Sequence, residues 1–260
     1  MEGTTKGSFL AAARELLERI AMTQDDALDQ ASRICSETIA AGGLVHAFGT
    51  GHSRIPVEEL FPRYGSFPGF NPIVELSMTF HTQIVGANGQ RQAMFIERVE
   101  GLAEQILSSY DLAPPDAMIV FSAGGVTAVP IEMAMGGRAR GLAVIAVTSV
   151  ANAAAATPQH SSGTRLLDHA DVVIDLCTPP GDALIQLNGL DTPVGPGSTV
   201  AAVGIANELK ARTAAVLAER GLLPPVITSA ALVGKERSQE LFEAAYAEHA
   251  RRAGRALRRE

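Results

Sequence analysis

The chain has 260 residues, 47% of them hydrophobic, and a net charge of −7, which is enough for a large domain with a full core. The acidic balance excludes a nucleic-acid surface, which needs a basic stripe, and no apolar run reaches the roughly 20 residues of a membrane span. Cys35 and Cys177 form no CxxC pair or metal spacing, and no basic-then-apolar leader opens the sequence, so a cytoplasmic protein with buried free thiols is expected.

In chain order, Leu10, Leu16, Leu17, Ile20, Ala27, Ile34 and Ile39 recur at helical spacing and predict one or two amphipathic helices over 8–41. Residues 1–40 are expected to pack on the domain or on a partner subunit, and 41–260 to form the domain itself. Ala41-Gly42-Gly43 closes the helical run as a C-cap. Residues 44–48 read as a buried parallel strand. A second strand is expected near Ile73-Val74-Glu75 and a helix over 91–110. Residues 117–121, 143–147 and 172–174 are three more apolar runs, with a helix predicted over 129–140. Strands alternating with helices imply βαβ crossovers. The expected fold class is therefore α/β: a three-layer α/β/α sandwich with a mostly parallel five-stranded sheet of flavodoxin-like order, plus N-terminal helices. The Pro- and Gly-rich stretch 178–198 predicts an ordered excursion near a ligand. Helices follow over 199–220 and 235–252, and the basic tail 251–259 reads as a solvated helix end.

Ligands of open parallel sheets bind beyond the carboxyl ends of the strands. There the sequence places Gly49-Thr50-Gly51-His52-Ser53, then Ser122-Ala123-Gly124-Gly125-Val126-Thr127, then Thr148-Ser149. Small residues expose amides, hydroxyls add donors, and a following helix adds its positive end, so these loops predict a phosphate cradle. No GxxxxGK[ST] or GxGxxG is present. Lys6, Lys210 and Lys235 are the only lysines. The pattern suits a small phosphomonoester held by amides and hydroxyls, with no cofactor.

These loops resemble the sugar isomerase (SIS) domain family of phosphosugar-binding proteins over about 41–220. The family's SxSGxT loop is matched at Ser122, Gly125 and Thr127, with Gly124 in place of the middle Ser. Together with His160-Ser161-Ser162-Gly163 and Gly195-Pro196-Gly197-Ser198-Thr199, the chain is similar to the bacterial UPF0309-like subgroup. Glu58-Glu59-Leu60 resembles the Glu-Glu-Leu of sedoheptulose 7-phosphate isomerases, whose second Glu is catalytic. Its spacing from Ser53 is about one turn shorter, which keeps the helix face. Glu97-Arg98-Val99-Glu100-Gly101 resembles the Val-Glu-Gly of N-acetylmuramic acid 6-phosphate etherases, and Gly197-Ser198-Thr199 with Gly204 and Asn207 resembles their Gly-Ser-Thr motif.

The resemblance implies a phosphosugar enzyme, a homodimer or higher oligomer with sites near the subunit boundary, and Glu59 and Glu100 as an acid/base pair whose roles could be exchanged. Such chemistry needs two carboxyls in different environments. His52, His81 and His160 are candidate sugar or phosphate contacts, with His81 placed to assist ring opening. The histidines show no HxH or HxxxH spacing, so no metal is expected. Glu75, Asp175 and Asp182 stay unranked. The leading expectation is a lyase dehydrating N-acetylglucosamine 6-phosphate. An aldose–ketose isomerase and a non-catalytic phosphosugar sensor are the rivals.

Overall fold

The computed structural model describes residues 8–257, with the side chain of His81 outside the described part. Five strands, β1 (Val45–Gly49), β2 (Phe70–Pro72), β3 (Ala117–Phe121), β4 (Ala143–Thr148) and β5 (Val172–Asp175), form one sheet in the order β2-β1-β3-β4-β5, with every neighbouring pair parallel. This is the expected α/β class. Strands buried on both faces are continuous apolar runs, and β1 and β3 are buried at every position. Gly49 pairs with Phe121, and Phe121 with Val147. The loops leaving β1 and β3 therefore start side by side.

The helices are α1 (Ser8–Thr23), α2 (Asp25–Ala40), α3 (Arg54–Glu59), α4 (Leu76–Thr79), α5 (His81–Val85), α6 (Gly89–Ile96), α7 (Leu102–Leu107), α8 (Ala128–Ala139), α9 (Val150–Ala155), α10 (Ser198–Glu219), α11 (Ala230–Val233) and α12 (Lys235–Ala256). On one face of the sheet, Leu16, Ile20, Leu28 and Ile39 of α1 and α2 share a core with Ile205 and Leu209 of α10. On the other, Leu107, Val129 and Ile131 pack over Phe48, Met118 and Val120. Each such large side chain contributes about 1.5–3 kcal/mol on burial. Arg212 of α10 clamps α2 by ion pairs to Asp25 and Asp29 at 2.8 and 2.6 Å.

Four expectations change. The second strand lies at Phe70–Pro72, upstream of Ile73-Val74-Glu75, and the Glu75 carboxylate instead accepts the Met78 N–H at 3.0 Å as the N-cap of α4. The helix expected over 91–110 is two helices, α6 and α7, parted by a turn in which Gly101 holds φ +85, a conformation that ends helical pairing. The excursion 178–198 carries a small antiparallel hairpin, β6 (Ala183–Ile185) with β7 (Val194–Pro196). The basic tail is not simply solvated: Arg252 is buried and donates to the Ile39 and Gly43 carbonyls at 2.9 and 2.8 Å. It ties α12 to the end of α2 and the turn after it, and Arg255 bonds the buried Asp116. Residues 258 and 259 lie outside the described residues.

Candidate functional site

A cleft of about 380 Å³ opens beyond β1 and β3, lined by Thr50–Ser53, residues 122–124, Thr127, α6 and the start of α10. Each loop has a local cause. A Cβ at Gly49 would stand 2.2 Å from the Ser53 carbonyl oxygen, so only glycine lets the first loop fold back. The Ser53 hydroxyl oxygen then accepts the Ala123 N–H at 3.3 Å and ties the loops together. In the second loop the Ser122 hydroxyl oxygen accepts the Gly125 N–H at 3.1 Å. Both hydroxyls accept from amides, which leaves their protons for a ligand. Thr127 precedes the N-terminus of α8, whose dipole favours an anion there.

The N-terminus of α10 already holds an anion. The Asp182 carboxylate accepts the Gly197 N–H at 3.2 Å, the Ser198 N–H at 2.7 Å and the Ser198 hydroxyl at 2.6 Å. Asp182 adopts φ +67 to do so. The Gly197 and Ser198 amides are thus already taken by Asp182.

Glu97 is the only glutamate lining the cleft among the described residues. The Thr50 hydroxyl donates to it at 2.6 Å. Burial pushes its carboxyl above the usual range, against the lowering pull of Thr50 and Arg98. A carboxyl with raised proton affinity in a cleft is suited to giving and taking a proton.

Of the residues anticipated from sequence, Thr50, Gly51, His52, Ser53, Ser122, Gly124, Thr127, Ser198 and Thr199 line this cleft. Gly49 and Gly125 shape the loops from behind. Thr148 and Ser149 do not reach the cleft. Thr148 is wholly buried under Gly125, and the Ser149 hydroxyl donates to the Thr178 carbonyl at 2.7 Å and caps α9. Glu59 ends α3 outside the cleft, where it pairs with Arg63 at 2.8 Å and Lys210 at 3.4 Å. Its carboxyl is resisted by burial but held below the usual range by those two cations. Glu100, His160, Ser161 and Ser162 also lie off the cleft lining, and they touch one another. His81 opens α5.

Sequence reasoning passed over Glu97, Gln90 and Met94. A continuous helix over 91–110 would put Glu97 and Glu100 on one face; instead α6 ends at Ile96, and in the turn that follows Glu97 meets Thr50 while Glu100 meets Ser161. A larger groove of about 650 Å³ lies between α1 and residues 175–184, with Arg19, Asp175 and Cys177 in its wall. It carries none of the glycine-loop amides, so the smaller cleft is the better site.

The sheet order and the Gly, Ser and Thr loops define a SIS-domain protein of the phosphosugar-binding class, and residues 8–149 match the SIS domain family. More narrowly, the chain belongs to the UPF0309 family. It is 38% identical over 223 residues to a UPF0309 protein of Streptomyces coelicolor, covering 86% of this chain and 87% of the relative. A UPF0309 protein of Geobacillus kaustophilus is 32% identical over 240 residues, covering 92% of this chain and 93% of the relative. A phosphoheptose isomerase from Francisella tularensis shares the fold, with a TM-score of 0.51 at 15% identity, over 82% of this chain and 98% of that one. No helix among the described residues is long and apolar enough to cross a membrane.

Proposed function

We propose that the protein is a phosphosugar lyase that dehydrates N-acetylglucosamine 6-phosphate. The observation that carries this reading is Glu97, a carboxyl whose proton affinity burial raises, seated beside Thr50 in a cleft walled by the 50–53 and 122–127 loops. The Ser53, Ser122 and Thr127 hydroxyls and the start of α8 would hold the 6-phosphate, mainly through O–H donors and the helix dipole. With the sugar open, the C1 aldehyde acidifies the C2 proton. The Glu97 carboxylate removes that proton, the C2=C3 double bond forms, and the C3–O bond breaks. The departing hydroxyl takes the proton back from Glu97 and leaves as water. This reading gives the acid/base role to Glu97 in place of Glu59 and Glu100, neither of which lines the cleft.

The reading includes a homodimer, since Leu76, Ile84, Phe95 and Val99 stand exposed on and around α6 beside the cleft. One proton-carrying carboxyl also suits an aldose–ketose isomerase, which returns the C2 proton to C1. The test is incubation with N-acetylglucosamine 6-phosphate followed by mass spectrometry. A product lighter by one water is expected. Run in deuterium oxide, sugar that gains one deuterium without losing water would install the isomerase, and neither change with folded protein would remove both.

A further inference from the structure

Thr148 and Ser149 stay out of the cleft, but the helix that Ser149 caps brings a side chain up to the 122–127 loop one turn later. The Ser149 N–H donates to the Ala123 carbonyl at 3.2 Å, which pins the start of α9 against that loop. The Ser149 hydroxyl oxygen accepts the Asn152 N–H at 3.2 Å, the usual work of an N-cap, and so fixes the backbone that carries Asn152.

The two ends of the Asn152 amide are told apart by their surroundings. Oδ1 accepts the Gly181 N–H at 3.0 Å, and because an N–H needs an acceptor the other end is the NH₂ group. That Nδ2 lies beside Gly124, where an added Cβ would stand 3.3 Å from it. Gly124 lines the cleft, and so does Asp182, the neighbour of Gly181. The amide thus sits between two segments of the cleft wall. Among the described residues nothing accepts from Nδ2, and it is not sealed from solvent. Two N–H donors therefore stand unused beside a cleft residue that has no side chain to cover them. Gly124 does not hold a positive φ, so what glycine supplies there is room and not backbone freedom.

We propose that Asn152 is a binding residue for the phosphorylated sugar, its Nδ2 donating to a phosphate oxygen held by the 122–127 loop. A donor to a charged oxygen makes one of the stronger hydrogen bonds. The proposal rests on reading this cleft as a phosphosugar site, and not on the dehydration.

The test titrates the full chain calorimetrically with N-acetylglucosamine 6-phosphate and with inorganic phosphate, and needs no turnover. Asn152→Ala should weaken both probes about 10–100-fold. Asn152→Asp keeps an acceptor for the Gly181 N–H but puts a carboxylate oxygen where the donors were. Its urea midpoint should stay near the parent value while both probes weaken at least as much as in Asn152→Ala. A side chain that only ties the two segments together would keep its affinity in Asn152→Asp. Gly124→Ala should also weaken both probes, because its methyl crowds Nδ2, and should do no further harm on top of Asn152→Ala. That cycle decides the matter if Asn152→Asp fails to fold. Parental affinity in Asn152→Asp would overturn the proposal, as would simple addition of the Gly124→Ala and Asn152→Ala losses, or a parent that binds neither probe. A protein that shows these losses yet forms no dehydrated product would remove the lyase and keep the donor.

Discussion

Replacing Gly125 with alanine should unseat the second phosphate loop without touching a ligand-facing side chain. Two costs follow from the structure. Gly125 holds φ +64, and a left-handed conformation costs an L-residue about 1–2 kcal/mol. The new Cβ would also stand 2.6 Å from the Thr148 hydroxyl oxygen. Thr148 is fully buried, so it cannot swing into solvent, and overpacking of this kind costs about 1–3 kcal/mol. The sum, about 2–5 kcal/mol, is a large part of the 5–15 kcal/mol that usually holds a domain together. Gly221→Ala is the control, because φ there is +65 with nothing within 4 Å of the added carbon. It should show the backbone cost alone. Thr148→Ala combined with Gly125→Ala should recover the steric part as a coupling of about 1–3 kcal/mol in a double-mutant cycle. Urea unfolding at matched m values measures all five proteins: the parent, Gly125→Ala, Thr148→Ala, their double variant and Gly221→Ala. If Gly125→Ala is no less stable than Gly221→Ala, or the cycle shows no coupling, the packing of this loop on Thr148 is misread.

Glu97→Gln should lower kcat about 10²–10⁴-fold with KM near the parent value, the usual share of general acid–base catalysis. Because the ionised carboxylate starts the reaction and its proton affinity is raised, parental kcat/KM should climb with pH through that raised value, and the limb should vanish in the variant. Glu59→Gln should keep turnover but lose about 1.5–3 kcal/mol in urea, since it takes a charged partner from Lys210, whose side chain is 9% exposed; loss of turnover at full stability would return Glu59 to the chemistry. Burial raises the Asp116 carboxyl, but bonds from His46 and the Leu44 amide, with the charge of Arg255, outweigh it and leave it below the ordinary 3.8. A depressed carboxyl stabilises the fold above its unfolded-state value and loses that contribution as pH falls through the folded value. Urea midpoints should therefore drop as pH falls below 3.8, and the drop should flatten in Asp116→Asn; an equal slope in both proteins would remove this group from the explanation.

β1, β3 and β4 were legible because they are short apolar runs that stop at Gly, Ser or Thr, and β5 as one that stops at Asp175, whereas β2, Phe-Asn-Pro, carries no such run. The 49–53 and 122–127 loops that line the cleft were legible for the same reason. Thr148-Ser149 looked like a third, but sequence does not report depth: β4 is flanked by β3 and β5, and its last residue lies beneath the neighbouring loop. Glu59 and Glu97 show the same limit from opposite sides. Lys210 lies 151 positions from Glu59 and turns it into half of an ion pair, while Glu97, just past the end of α6, meets the Thr50 hydroxyl 47 positions away. Asn152 meets Gly181 and stands beside Gly124, three segments in all, so no local spacing could announce it.

The central claim is that the carboxyl in the phosphate cleft takes the C2 proton and that water leaves. The most direct measurement is mass spectrometry of the product formed from N-acetylglucosamine 6-phosphate carrying deuterium at C2, in ordinary water. The product should have lost the label together with the elements of one water, and Glu97→Gln should form almost none of it. A product that keeps the label, or labelled sugar that loses deuterium without losing water, would contradict the dehydration.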